Sequence, residues 1–354
     1  MPDPPEDAAT VGVDQEWVEQ VVADLQWWAS ASTGLTPTSQ ITGGGAIGAL
    51  EEAMRERHGG RPALMVSSAT AGMRVLLQVH GVTKGDEVLV PAVDWPATSA
   101  AVTSLGAHPV VVDVDPATLT LDPQAVRGAL TARTTAVVVC HVLGIAADVP
   151  AVVAAAGAIP VLEDCAQSFG AVHGHHPVGT MGAGAVHSLG PGKRIDAGEG
   201  GVIVLGDDER FERAVRLACH PIRQLLTGIT DPTTTNLACR PHPVAAVQAL
   251  AALHRGDTDL GTRDAQHLRR TLTTVPGVTV LGPPGTHHHG AVPFMVGSAT
   301  PADLPAGVTA SPAHCPVLPG AAEVSRRVAE RVWLARWVLR PRAAPRPRPG
   351  PPGP

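Results

Sequence analysis

Short apolar runs recur along the chain from residue 63 to residue 205, and most are separated by stretches with helical spacing. Strands that alternate with helices are typical of a mostly parallel sheet covered by helices on both faces. The pattern therefore predicts an α/β fold with a seven-stranded sheet. The predicted strands are Ala63–Ser68, Glu87–Ala92, Pro109–Val114, Thr135–Val142, Ile159–Asp164, Ala185–Leu189 and Val202–Leu205.

Helical spacing also precedes the first predicted strand. Trp17, Val21, Leu25 and Trp28 recur at helical intervals and predict an amphipathic helix over residues 14–30. A second helix is predicted from Ala46 towards His58. Between the strands we predict the helices Ala71–Val79, Ala97–Leu105, Pro123–Leu130 and Val149–Ala156.

The pattern of apolar residues in the C-terminal third predicts a smaller α+β domain. It has a long helical region over residues 244–275, short strands at Val278–Leu281 and Ala291–Val296, and a last helix over residues 321–339. We therefore divide the chain into a large domain (13–240) and a small domain (241–339). We expect residues 1–12 and the Arg/Pro tail 340–354 to be disordered.

Composition narrows the class of protein. The chain has 354 residues, 44% hydrophobic and 16% charged, which suits a globular protein. A formal net charge of -6 argues against a nucleic-acid-binding surface. No apolar run reaches the roughly 18 residues of a membrane span, and the acidic N-terminus does not resemble a secretory signal. We expect a cytoplasmic protein.

The five cysteines are scattered and odd in number, and none forms a Cys-x-x-Cys pair. This favours reduced thiols over disulfides or a zinc site, and we expect no metal. The cysteines are Cys140, Cys165, Cys219, Cys239 and Cys315.

Polar and aromatic residues follow the predicted strands, where parallel sheets bind ligands. Ser68, Ala69 and Thr70 open a helix after the first strand, and a helix N-terminus suits a phosphate. Trp95 follows the second strand and could stack on a flat ring. Each feature also has a simpler interpretation, a helix cap for the turn and a core aromatic for the tryptophan.

The later strands end in a carboxylate and a lysine loop. Asp164 ends the fifth predicted strand, with Gln167 three residues later, and a carboxylate there can pair with a protonated ring nitrogen. Ser188 lies near the end of the sixth predicted strand, and Lys193 follows that strand. A lysine in a glycine-rich loop beside strands can act as a nucleophilic amine, although most such lysines are surface residues.

One cofactor uses all these groups together. Pyridoxal 5'-phosphate has a phosphate, a flat pyridine, a ring nitrogen that is held protonated and an aldehyde that takes a lysine. Each match is weak alone, but the ordered set at strand ends favours this cofactor.

The chain resembles the DegT/DnrJ/EryC1/StrS aminotransferase family, the sugar aminotransferases of pyridoxal-phosphate fold type I. The resemblance covers roughly residues 40–250, with its segments in family order. The matching segments are SSATAGM (67–73), KGDEV (84–88), PAVDWPAT (91–98), GAHPVVVDVDPATLTLD (106–122), CHVLGIAADV (140–149), LEDCAQSFGA (162–171) and SLGPGKRIDAGEGG (188–201).

The resemblance implies a role for each residue. Lys193 would hold the cofactor aldehyde and move protons, and Asp164 would pair with the ring nitrogen. Trp95 would stack on the ring, and Gln167 would contact its hydroxyl side. Ser188, with the turn Ser68–Thr70, would bind the phosphate.

The family commonly moves an amino group from glutamate or glutamine to a keto sugar, often nucleotide-linked, or to a keto-cyclitol. The resemblance thus implies such an aminotransferase in specialised glycoside or antibiotic biosynthesis, acting as a homodimer. A sugar dehydratase or lyase is an alternative, although those relatives typically replace the lysine with histidine. A non-catalytic family member that only binds the cofactor is a third possibility.

The chain departs from the family near residue 238. Ala238 stands where the family's asparagine reaches the partner subunit's cofactor, and Asn236 is two residues early. The contact across the subunit interface is therefore left open. Arg240 is a candidate for the donor carboxylate or the phosphate.

Overall fold

A computed structural model describes residues 15–31, 39–256, 262–282, 292–296, 304, 308–312, 318 and 332–337. The helices are α1 (Gln15–Ala31), α2 (Ser39–Thr42), α3 (Ala46–Arg57), α4 (Ala69–Val79), α5 (Ala97–Ser104), α6 (Pro123–Ala129), α7 (Val149–Ala156), α8 (Asp208–Ala218), α9 (Pro221–Leu226), α10 (Pro243–His254) and α11 (Thr262–Leu272). The strands are β1 (Ala63–Val66), β2 (Glu87–Pro91), β3 (His108–Val112), β4 (Thr134–Cys140), β5 (Val161–Asp164), β6 (Val172–His173), β7 (His176–Pro177), β8 (Gly184–Ser188), β9 (Gly201–Leu205), β10 (Val278–Val280), β11 (Val292–Val296), β12 (Val308–Pro312) and β13 (Val332–Trp337).

Seven strands form the main sheet in the order β1-β9-β8-β5-β4-β2-β3. The pairs among β8, β5, β4, β2 and β3 are parallel, whereas β9 runs antiparallel to both of its neighbours, β1 and β8. Since β9 is reversed, its amino end meets the carboxyl ends of the other strands. One edge of the sheet therefore gathers residues that follow β1, β2, β4, β5 and β8.

The sheet is buried on both faces, as its nearly continuous apolar strands predict. Helices α4, α5 and α8 contribute to one apolar core with side chains of β1, β2 and β8. Helices α3 and α10 form a second core with Met65 of β1 and Val202 of β9. Helices α6 and α7 form a third with β4 and β5. These layers confirm the predicted α/β class.

A second, four-stranded antiparallel sheet lies in the C-terminal third, in the order β10-β11-β13-β12. Its β10 and β11 confirm the predicted short strands. The helix predicted over residues 321–339 is wrong for residues 332–337, which form β13 between β11 and β12. Trp333 and Trp337 have helical spacing, but pairing with strands distant in sequence decides the conformation.

The segments expected to be disordered, 1–12 and 340–354, lie outside the described residues. Within the part that the structure describes, no helix combines the length and the apolar character that a membrane crossing requires.

Candidate active site

A cavity of about 360 Å³ opens at the edge of the main sheet where the carboxyl ends of the parallel strands meet. Eight of the nine candidate site residues line it. These residues are Ser68, Ala69, Thr70, Trp95, Asp164, Gln167, Ser188 and Lys193. The sheet edge thus brings together residues up to 125 positions apart in the sequence.

A turn at the start of α4 forms one wall of the cavity. Ser68 is the N-cap of α4, and its hydroxyl accepts a hydrogen bond from Ala71 N at 3.2 Å. The first turn of a helix carries N–H groups without intrahelical acceptors, and the helix dipole favours negative charge there. Ala69 and Thr70 follow the cap on the cavity side. This wall suits a phosphate.

Asp164 lies at the end of β5 and is 8% exposed. Its Oδ1 accepts a hydrogen bond from Ala166 N at 2.9 Å, and its Oδ2 accepts one from the Thr98 hydroxyl at 3.2 Å. The pKa of Asp164 is raised, chiefly by burial, and these two donors and the nearby Lys193 offset only part of that rise. A buried, oriented carboxylate of this kind can hold a cationic N–H group of a ligand.

Lys193 lies in the loop between β8 and β9 and lines the same cavity as Asp164. Asp196 fixes this loop, because its two oxygens accept hydrogen bonds from Gly192 N (2.7 Å) and Gly198 N (2.9 Å). Both glycines have positive φ, which a side chain would disfavour. Hydrogen bonds to Asp196 therefore fix the backbone of the loop that carries Lys193.

The remaining lining residues present a ring surface and polar groups. Trp95 lines the cavity and is 51% exposed, so it presents an aromatic surface at the cavity mouth. The Gln167 side-chain oxygen accepts a hydrogen bond from Leu143 N at 3.1 Å. Leu143 has a positive φ of 52°, which is uncommon for a residue other than glycine. The Ser188 hydroxyl accepts one from Gly190 N at 3.3 Å.

Arg240 is the one candidate that does not line the cavity; its side chain is exposed. Its neighbour Cys239 accepts a hydrogen bond from Ser67 N at 3.2 Å, which ties this segment to the turn before α4. Ala238 has φ of 49°. Arg240 therefore does not contribute to the cavity of its own chain, where the predicted role would place it.

Sequence reasoning missed three buried cavity residues whose side chains carry a carboxyl, hydroxyl or thiol group: Asp94, Thr98 and Cys140. Asp94 directly precedes Trp95, and Cys140 ends β4, so the rule that ligands bind at strand ends could have found both. Thr98 lies in the first turn of α5, and nothing in the sequence indicates that its side chain lines a cavity.

Glu163 lies next to Asp164 on β5 but faces away from the cavity into a buried polar cluster. Its carboxylate accepts hydrogen bonds from His141 Nε2 (3.0 Å) and from the backbone N–H groups of Gly179, Met181 and Gly182. Burial alone would raise the pKa of Glu163, but these donors outweigh it and the pKa is lowered.

His141, Glu163 and Cys165 also form a potential metal-ligand group among the described residues. Burial raises the pKa of the Cys165 thiol well above normal, which disfavours the thiolate that a metal would need.

Together the lining residues fit a ligand with three distinct parts. The turn at Ser68 suits an anion, the carboxylate of Asp164 suits a cationic ring N–H, and the exposed indole of Trp95 suits a flat ring. Lys193 supplies a primary amine at the same cavity, which can bond to an aldehyde. The chemistry of this donor set matches the groups of pyridoxal phosphate.

The curated relatives of this chain include two aminotransferases that act on different substrates. It is 45% identical over 153 residues to an L-glutamine:2-deoxy-scyllo-inosose aminotransferase of Micromonospora echinospora, which covers 43% of the chain but only 36% of that relative. It is 33% identical over 282 residues to a UDP-4-amino-4-deoxy-L-arabinose–oxoglutarate aminotransferase of Shewanella sediminis, covering 75% of the chain and 72% of the relative. The chain thus spans about a third of the length of the first relative.

The fold also matches a solved structure. The crystal structure of a 3-amino-5-hydroxybenzoic acid synthase superposes with a TM-score of 0.69 at 27% identity, covering 91% of this chain and 90% of that one. This agreement confirms the expected fold type. The model of the DegT/DnrJ/EryC1/StrS aminotransferase family matches residues 29–306. The chain therefore belongs to the DegT/DnrJ/EryC1/StrS aminotransferase family.

Proposed function

We propose that this chain binds pyridoxal 5'-phosphate at Lys193 and transfers an amino group from glutamine or glutamate to a keto-cyclitol or keto sugar. The observation that carries the proposal is the position of the lysine. The sequence contains only two lysines, Lys84 and Lys193. Lys84 is exposed in the loop before β2, whereas Lys193 lines the cavity together with Asp164 and Trp95.

Bound pyridoxal phosphate supplies an aldehyde that reacts with amines and a ring that accepts electrons. The chain's own residues do the rest. With the cofactor bound, Asp164 would keep a proton on the ring nitrogen, Trp95 would stack on the ring, and Gln167 would lie towards the hydroxyl side. The turn Ser68–Thr70 and Ser188 would bind the phosphate.

Lys193 has a second role in this proposal. Lys193 Nζ would be the base in the cavity that takes a proton from the α-carbon of the amino donor. The same Nζ would return a proton to the carbon of the keto substrate in the reverse half reaction. One residue can serve both halves because donor and acceptor occupy the same cavity in turn.

The names of two relatives support a substrate class. One acts by name on a cyclitol ketone with glutamine, and the other on a UDP-linked amino sugar with oxoglutarate. Both are cyclic compounds rich in hydroxyl groups, which supports a polyhydroxylated cyclic ketone as acceptor. It also supports a place in aminosugar or aminocyclitol biosynthesis, as in specialised glycosides and antibiotics.

A donor and acceptor screen tests the proposal. The purified protein with pyridoxal phosphate should be yellow, and glutamine or glutamate should bleach it. Adding 2-deoxy-scyllo-inosose or a UDP-linked keto sugar should restore the colour and give an aminated product by mass spectrometry. Conversion of the acceptor without incorporated amine would indicate a dehydratase or lyase instead. Colour that no donor bleaches would indicate a non-catalytic binder.

The proposal includes a homodimer in which a second subunit completes the site. Support comes from apolar side chains left exposed near the cavity and on α9: Trp95 at 51%, Leu225 at 54% and Leu226 at 65%. Arg240, absent from this chain's own cavity lining, would serve the other subunit's cavity. We also assign the protein to the cytoplasm, where buried free thiols such as Cys140 and Cys219 stay reduced.

Subunit mixing tests this arrangement. If Arg240 acts across the interface, the inactive variants Lys193→Ala and Arg240→Ala should complement each other when mixed and refolded together. About a quarter of the sites would then be intact, on random pairing of subunits. If both residues act in one subunit, mixing restores nothing. Light scattering of the separate proteins would report their oligomeric state.

A further inference from the structure

The cavity contains two buried carboxyl groups, not one. Asp94 is 1% exposed and Asp164 is 8% exposed, and both line the cavity. Asp94 follows β2, and Asp164 ends β5. Cys140 ends the strand between them, β4, and pairs in register with Asp164. The fold therefore places both carboxyl groups at one edge of the sheet, beside the position proposed for the ring nitrogen.

Hydrogen bonds distinguish the two groups. Both oxygens of Asp164 accept hydrogen bonds, from Ala166 N and from the Thr98 hydroxyl. Asp94 Oδ1 accepts one from Trp95 N at 2.7 Å. Asp94 Oδ2 is buried and has no hydrogen-bond partner among the residues that the structure describes. The nearby Thr98 hydroxyl and Cys140 thiol also favour the ionised form of Asp94, but they offset only part of the effect of burial. The environment therefore stabilises the ionised form of Asp164 better than that of Asp94.

Electrostatics favour the same assignment. Two neighbouring buried carboxyl groups do not both ionise readily, because each charge opposes the other in a medium of low polarity. Burial first, and the charge of Asp164 second, raise the pKa of Asp94 to about 7. Burial also raises the pKa of Asp164, but Ala166, Thr98 and the charge of Lys193 offset part of that rise.

We propose that Asp94 and Asp164 bind one proton between them, that this proton resides on Asp94, and that Asp94 thereby acts as a positioning residue for the ring-nitrogen site. Un-ionised Asp94 leaves Asp164 as the single carboxylate that faces the ring nitrogen. This inference rests on the proposed function, since the ring nitrogen belongs to pyridoxal phosphate. It concerns a residue that the family resemblance did not single out.

The pair makes the strength of the ring-nitrogen contact depend on pH. When Asp94 loses its proton near neutral pH, a second negative charge joins the site and the cationic ring is held more tightly. The other titratable groups that bear on the pair are Lys193, His141, Cys140 and Cys165, and Glu199 lines the same cavity. Burial raises the pKa of both thiols, so they remain neutral in this range.

Infrared spectroscopy of the full-length, cofactor-free protein tests where the proton resides. The wild type at pH 6 should show the carbonyl stretch of a buried un-ionised carboxyl group, and this band should disappear as the pH rises to 8. Asp94→Asn should abolish the band, whereas Asp164→Asn should retain it. A band that disappears in Asp164→Asn and persists in Asp94→Asn would overturn the proposal, as would the absence of any band at pH 6.

The Thr98 hydroxyl offers a matched pair of variants. Thr98→Val removes a hydroxyl that lowers the pKa of both carboxyl groups while keeping a similar shape, so the midpoint of the band should shift to higher pH. Thr98→Ser keeps the hydroxyl and should restore the wild-type midpoint. Equal midpoints in the valine and serine variants would contradict the role given to the Thr98 donor.

Cofactor binding provides a second readout. The affinity of pyridoxal phosphate for the wild type, relative to that for Asp94→Asn, should rise roughly tenfold between pH 6 and pH 8 as Asp94 becomes charged. A constant ratio would contradict the coupling. If pyridoxal phosphate does not bind at all, the proposed function fails, while the infrared band still decides the shared proton. If it binds and the band is absent, only this inference fails.

Discussion

Gly201 lies so close to the turn before α4 that a Cβ at position 201 would be 2.6 Å from Ala69 N and 2.7 Å from the Ser68 carbonyl carbon. The first residue of β9 thus packs directly behind the turn proposed to bind phosphate. These neighbours are backbone atoms, which cannot rotate away as a flexible side chain could. Glycine at 201 is therefore a geometric requirement for that turn.

We predict that Gly201→Ala displaces the Ser68–Thr70 turn and weakens phosphate binding. The affinity for pyridoxal 5'-phosphate should fall at least about tenfold, the equivalent of losing roughly 1.4 kcal/mol of charge-assisted hydrogen bonding. Pyridoxal, which lacks the phosphate, should lose much less. Fluorescence titration of both ligands measures the two effects.

Gly128→Ala is the control for this substitution. Gly128 lies in α6, and a Cβ there would meet nothing within 4 Å. Alanine should be neutral or slightly stabilising in that helix. Equal losses for pyridoxal and pyridoxal phosphate in Gly201→Ala would mean that the turn does not bind the phosphate.

Glu163 should be essential to the stability of the strand that carries Asp164. A glutamine at this position replaces one acceptor oxygen with an NH₂ group that faces N–H donors such as those of Met181 and Gly182. We expect Glu163→Gln to lower the free energy of unfolding by roughly 3 kcal/mol, the cost of buried polar groups left unsatisfied. Urea unfolding of the variant and the wild type measures this difference in the free energy of unfolding.

The matched control is Glu212→Gln on α8, where Glu212 forms an exposed ion pair with Arg216. Its unfolding midpoint should hardly change, because exposed ion pairs contribute little. If both variants unfolded at the wild-type midpoint, the buried cluster around Glu163 would not have the structural role assigned to it.

Asp94 should make the folded protein less stable as the pH rises. The folded state raises its pKa to about 7, chiefly through burial, so the folded state keeps a proton that the unfolded chain releases at lower pH. The stabilisation is full below about pH 4 and is lost as the pH rises towards 7, by at most about 4 kcal/mol. Asp94→Asn should therefore flatten the decline in unfolding free energy between pH 5 and pH 8.

Asp208→Asn provides a comparison for that experiment, because Asp208 is an exposed carboxyl in the first turn of α8. It should leave the pH dependence of the unfolding free energy between pH 5 and pH 8 unchanged. A wild-type slope in Asp94→Asn would show that Asp94 is ionised throughout this range.

Much of the main sheet follows from local pattern. Each predicted strand there matches an observed one to within about two residues, because alternating apolar runs and helical stretches report burial directly. The reversed direction of β9 was not predictable, since a buried apolar run reads the same in either direction. For β13 the spacing of Trp333 and Trp337 indicated a helix, and only pairing with β11 and β12 decides against it.

In the candidate site, too, local sequence predicts some residues, whereas others depend on tertiary contacts. Asp164, Trp95 and Lys193 could be predicted because each lies at or after the end of a strand and carries distinctive chemistry. Asp94 also follows a strand, but its importance depends on burial beside a second carboxyl group, which local sequence does not report. Arg240 was assigned by resemblance, and the structure of one chain leaves it outside the cavity.

The most direct test asks which lysine carries the cofactor. Full-length protein is loaded with pyridoxal phosphate, reduced with borohydride to make the lysine–cofactor bond permanent, and digested for peptide mass spectrometry. We predict one modified site, Lys193, with Lys84 unmodified, and we predict that Lys84→Ala stays yellow while Lys193→Ala is colourless. Modification at Lys84 alone, or a yellow Lys193→Ala variant, would contradict the assignment of this cavity as the cofactor site.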